Sequence, residues 1–133
     1  MRRTSTRWAA LAVVAALSGP VAGCIAAAAA GAAGGVYATT RGAEALVSGS
    51  VDQVAARAQT VMKDLDIAPT GEKTESAGDK HEFKGTKGDL DITIQMQRSD
   101  SSTTKVEVTA RKNLAEWDKD YAKEVLTRIV KAG

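Results

Sequence analysis

The chain has 133 residues, with 18 Lys+Arg against 16 Asp+Glu, one Cys and one His. That length holds one domain plus an export segment, and the counts exclude an internal disulfide and a Cys/His metal cluster. Arg2, Arg3 and Arg7 stand at the extreme N-terminus; without them acids and bases balance, which excludes the basic face that a nucleic-acid binder needs.

Met1 to Arg7 form a basic n-region, followed by the uncharged apolar run Trp8 to Leu17 and the breakers Ser18, Gly19 and Pro20. This order predicts a secretory signal peptide over residues 1–23, with an apolar core too short to span a bilayer. Arg2-Arg3 lacks the flanking residues of a twin-arginine signal, so general secretion is expected. Val21, Ala22, Gly23 and Cys24 resemble the lipobox of bacterial lipoproteins. The resemblance implies diacylglycerol on the Cys24 sulfur, cleavage before it, and acylation of the new amino group, typically with palmitate. Two or more acyl chains make a lasting membrane anchor, whereas one binds only marginally. Ile25 stands where an Asp would commonly retain a lipoprotein at the inner membrane. In a Gram-negative cell the resemblance therefore implies the periplasmic face of the outer membrane.

Residues 24–49 read as the lipidated Cys and an Ala/Gly-rich tether. Ile25 to Val36 carries no charge and suits a spacer or a surface-lying helix. An uncleaved transmembrane anchor is the alternative, opposed by Pro20 and by the weak hydrophobicity of Gly and Ala. The globular domain is expected over residues 50–133. Ser50 with Gln53 forms a capping box, and Val51, Val54, Ala55, Ala58, Val61, Met62 and Leu65 share one helical face. Asp66 and Pro69 mark its end. Ile67 to Ala77 reads as a poor strand at a sheet edge, where Pro is tolerated.

Lys80 to Gly85 alternates around Phe83. Leu90 to Gln97 is the clearest strand, with Leu90, Ile92, Ile94 and Met96 on one side. Thr104 to Arg111 is its hairpin partner, with Val106, Val108 and Ala110 inward. Tyr121, Ala122, Val125, Leu126, Ile129 and Val130 stripe a final helix from Asp118 to Lys131. The order predicts an α+β two-layer sandwich: helix, three or four antiparallel strands, helix.

The residues that could carry chemistry are sparse. His81 is the only general base for a Ser-His-Asp or Cys-His arrangement, and it lies between Lys80 and Glu82 in a charged strand, so an exposed structural role is expected. Asp89 with Asp91, and Asp118 with Asp120, are the closest carboxylate pairs. Both fit solvated or helix-start positions rather than an apolar pocket that would separate their pKa values. Gly71-Glu72-Lys73-Thr74 lacks the adjacent glycine and lysine, the upstream glycine and the leading strand of a phosphate loop. Trp117 is expected to close the core at the start of the last helix, with a partner contact as the alternative. No catalytic residue, cofactor site or metal site is therefore expected.

By layout, the mature chain resembles the small bacterial lipoproteins gathered as domain of unknown function 3568. The likeness rests on the lipobox, the small-residue run after it, the Tyr37 to Gly49 linker, the helix from Val51, the Thr103-Thr104-Lys105-Val106 strand start and the amphipathic last helix. The stretch Lys112 to Trp117 departs from the family's Gly-Asp turn. The family brings no known activity. The expected function is a non-enzymatic, membrane-anchored envelope module that binds an envelope protein or serves a structural role. An accessory subunit of an envelope complex is the first alternative, and a hydrolase with an unrecognised carboxylate site the second.

Overall fold

A computed structural model describes residues 35–133; the expected signal peptide, with Val21, Ala22 and Gly23, and Cys24 lie outside the described residues. The architecture is α+β, with six antiparallel strands and two helices. In chain order the elements are β1 (Tyr37–Ala38), β2 (Gly42–Ser48), α1 (Val51–Asp64), β3 (Ala68–Glu75), β4 (Lys80–Lys87), β5 (Leu90–Asp100), β6 (Thr103–Arg111) and α2 (Lys119–Lys131). The strand order is β1-β2-β6-β5-β4-β3.

This corrects two expectations. The sheet has six strands, not three or four, and residues 37–48 form a β-hairpin of β1 and β2 rather than a tether. Ala43, Ala45 and Val47 alternate into the core and are essentially inaccessible to solvent. They stand opposite Val108, Val106 and Thr104 of β6, so β2 is an interior strand. Gly42 is required where it stands, because a Cβ there would overlap the Val108 carbonyl oxygen.

α1 begins at Ser50, whose Oγ accepts from the Gln53 N–H while Gln53 Oε1 accepts from the Ser50 N–H. Gly49, at φ 121°, makes the turn into it. Buried Thr104 fixes that turn by donating from Oγ1 to the Gly49 carbonyl at 2.9 Å. The helix ends in a Schellman-type stop: the Ile67 N–H donates to Met62 O at 2.8 Å and the Asp66 N–H to Lys63 O at 3.1 Å. The left-handed position is held by Asp66 at φ 55°, where glycine has no steric penalty. Asp66→Gly is expected to raise stability by about 0.5 kcal/mol, less than the relief of strain because glycine also gains entropy when unfolded. A urea midpoint at or below that of the parent protein would contradict it.

α2 is capped by Asp118, whose carboxylate accepts from the Tyr121 N–H at 2.9 Å. The buried faces of both helices join the inward residues of β2, β4, β5 and β6 in one core. α2 lies against β2 and β6, whereas α1 reaches towards β3, β4 and β5. Gly85 leaves room for α1 to approach, since a Cβ there would stand 2.5 Å from Ile67 Cγ2 and 2.9 Å from Met62 Cε. Most outward residues of the same strands are polar, including Glu44, Lys105, Gln95 and Lys84, with Leu46 an exposed apolar exception. β3 is an edge strand exposed along all eight residues, with its register broken between Pro69 and Gly71.

Candidate functional site

The antiparallel register sorts every candidate residue onto a face. His81 stands opposite Met96 on β5 and Thr74 on β3, on the side of the sheet that carries the core. Its ring centroid is 4.6 Å from that of Phe83, and Nε2 is 2.7 Å from Glu72 Oε1. Its side chain is only 13% exposed. The imidazole therefore packs on the last aromatic of the core and ties the edge strand to its neighbour, and it is less exposed than the sequence suggests. A groove of about 310 Å³ passes it, lined also by Lys73, Glu75, Lys80 and Gln97. No Ser, Thr or Cys lines this groove, so it holds no nucleophile for the histidine to activate. His81→Ala should cost about 1 kcal/mol through the lost ring contact and the lost hydrogen bond to the exposed Glu72 carboxylate. Cells carrying it should keep the wild-type phenotype; loss of function with an intact fold would restore a catalytic role.

The carboxylate pairs separate in the fold. Asp89 sits in the β4–β5 turn, next to Gly88 at φ 60°. Asp91 faces away from the core, opposite Thr86 and Arg111, and lines a groove of about 280 Å³ that Asp89 does not line. Asp118 is spent as the helix cap and Asp120 lies exposed in the first turn of α2. Neither pair meets the need of acid–base chemistry for one carboxyl in an apolar enclosure. Among the described residues, no group of three or more His, Cys, Asp or Glu is placed to hold a metal ion. Also among them, no helix is long and apolar enough to cross a membrane.

The most organised polar surface lies on the outward side of the sheet. Glu44, Glu107, Gln95, Glu82 and Lys73 form a row across five successive strands, from β2 to β3. Like charges directly opposite destabilise a sheet, and the row answers this with neighbours. Gln95 Nε2 donates to Glu82 Oε2 at 2.7 Å, Lys84 pairs with Glu82 at 3.3 Å, and Lys105 pairs with Glu44 at 3.1 Å. No ion pair or hydrogen bond is formed by the Glu107 carboxylate among the described residues.

Trp117 belongs to this surface and not to the core, which corrects the expected core-closing role. It bridges to Arg111 as a short extension beside β6, and residues paired in this way point to the same face. The Arg41 guanidinium lies 5.5 Å from its ring centroid, within cation–π range. Trp117 lines two shallow grooves of about 260 and 280 Å³, both lined also by Lys84, Thr93 and Thr109. Glu44 and Arg41 had no functional signal in the sequence, because the segment that carries them reads as linker. Chemically, this surface offers two partly exposed aromatic side chains, Trp117 and Tyr37, with alternating charge and several hydroxyl and amide groups. That composition suits contact with another folded protein. No protein-family model matches the chain, and no curated protein matches it.

Proposed function

We propose that this chain is a small bacterial envelope lipoprotein whose domain is a non-enzymatic module for binding another envelope protein. On this reading residues 1–23 are removed, Cys24 carries diacylglycerol and an amide-linked acyl group, and a Gram-negative cell holds the domain at the periplasmic face of the outer membrane. Membership of the domain of unknown function 3568 family fits the same layout. We read the architecture as a two-layer sandwich, with both helices on one side of the sheet. The single observation that supports the binding role is the uncovered side, where Trp117 and a five-strand row of ordered polar side chains face outward. An accessory subunit of an envelope complex would use the same surface.

A photo-crosslinking amino acid at Gln95, the centre of that row, should give one discrete adduct with an envelope protein in intact cells. The same amino acid at Lys123, on the exposed side of α2, should not. Adducts equal from both positions, or absent from both, would remove the outward face as the binding surface.

A further inference from the structure

β3 is eight residues long, and none of them is buried. By contrast, β2, β4, β5 and β6 each send side chains into the core. A groove of about 480 Å³ stays open between β3 and α1, lined by Met62, Lys63, Ile67, Pro69, Glu72 and Phe83. The strand therefore covers β4 without packing tightly beneath.

Little besides the backbone ladder fastens it. Among the described residues, its one side-chain tie to another element joins Glu72 Oε1 to His81 Nε2 at 2.7 Å. The Lys73–Glu75 ion pair lies within β3 and binds it to nothing else. The ladder is itself broken between Pro69 and Gly71, and Pro69 has no N–H to contribute.

The backbone around the strand is strained. Ser76 and Ala77, which follow it directly, stand at φ 55° and 54°. Left-handed backbone is unfavourable for any residue with a Cβ. The third such residue among those described is Asp66, just before β3. All three thus bracket one strand.

Both ends of the segment are anchored independently of β4. Ile67 is buried, and its N–H donates to Met62 O at 2.8 Å, so α1 holds that end. At the other end the Arg98 N–H donates to Asp79 O at 2.8 Å, and Arg98 Nε pairs with the Asp79 carboxylate at 2.9 Å, so β5 holds it. Between these points residues 68–78 can extend to about 40 Å. An eight-residue strand is only about 27 Å long. The segment has slack enough to leave β4 while neither anchor moves.

We propose that residues 68–78 form a detachable strap, which lifts off β4 as one unit while the other strands and both helices stay folded. Lifting draws no side chain of β3 out of the core, releases the strain at Ser76 and Ala77, and restores backbone freedom to the segment. The ladder to β4 and the Glu72–His81 contact oppose it. The open form bares the β4 edge beside Phe83, the kind of edge to which an extended polypeptide adds as a strand. The inference is independent of the outward binding face and of the lipid anchor.

Amide hydrogen exchange of the full-length protein tests it. Amides of β3, and those of β4 that bond to β3, should exchange through one shared opening, about 100-fold faster than amides of β5 and β6. Those of β4 that bond to β5 should stay slow. Ile129 is buried in α2, which lies against β2 and β6. Ile129→Val should weaken the whole domain and speed β5 and β6 about fivefold, with β3 rates unchanged. Ser76→Asn combined with Ala77→Gly, which suit a left-handed turn, should slow the β3 set about fivefold. Acceleration of β3 in step with β5 in Ile129→Val would mean that β3 opens only when the domain unfolds, which overturns the strap. Protection graded from the Ser76 turn towards Ile67 would mean fraying from one end and overturns it equally. So would a turn variant that leaves β3 rates unmoved.

Discussion

Cys24→Ala is expected to abolish processing: the product should keep residues 1–23 and carry no acyl mass. The thiol is the only atom in the chain that can take the lipid in the manner the lipobox implies, because no second cysteine exists. The energetic consequence is large. Each buried methylene contributes about 0.8 kcal/mol of membrane affinity, so removing two chains takes away far more than the net stability of a small domain. Intact-mass measurement of the purified product distinguishes the outcomes. An unchanged mature mass and unchanged membrane fractionation would end the lipoprotein reading.

A chain beginning at Ser50 is expected not to fold cooperatively, whereas one beginning at Gly35 should. Starting at Ser50 deletes β1 and β2, the second of which is paired with β6 over its full length. Val106 and Val108 would become residues of a naked edge, and α2 would lose one of the two strands that carry it. Burial of Val47 alone is worth about 1.5–3 kcal/mol. Ala43 and Ala45 add less each, and the uncovered surfaces of β6 and α2 add more. The sum approaches the 5–15 kcal/mol that a domain typically has in reserve. Circular dichroism melts of the two chains check it. A sharp transition for the shorter chain within a few degrees of the longer one would show β2 to be dispensable.

The elements that could be read from sequence are those in which side-chain volume marks the period. Val54, Val61, Met62, Ile92, Ile94, Val125 and Ile129 announce their faces because each is large and apolar amid charge. β2 alternates just as strictly, but with Ala43 and Ala45 in two of its three inward positions. Alanine and glycine are poor strand formers, and the segment continues a small-residue tract that reads as spacer. Its strand character comes from β6, near the other end of the chain, and that is tertiary information. Asp66 was legible as a helix stop because Asp accepts a left-handed backbone. The sequence leaves Trp117 open between the core and a partner contact, since its orientation follows from the bridge to Arg111. The contact of His81 with Phe83 depends on the β4 register, which the sequence does not display.

The pairing of β2 with β6 bears on when the chain can fold, and so on the export proposed above. Gly42 is among the first residues of the domain to be synthesised, and its partner Thr109 among the last. Contacts so distant in sequence form slowly, because a long loop must close before they repay its entropy. The sheet cannot be completed until the final quarter of the polypeptide is available. A chain still being synthesised therefore cannot complete its sheet, which is the unfolded condition that the export proposed above would require. On that proposal the fold would close only after the C-terminal strand and helix had crossed.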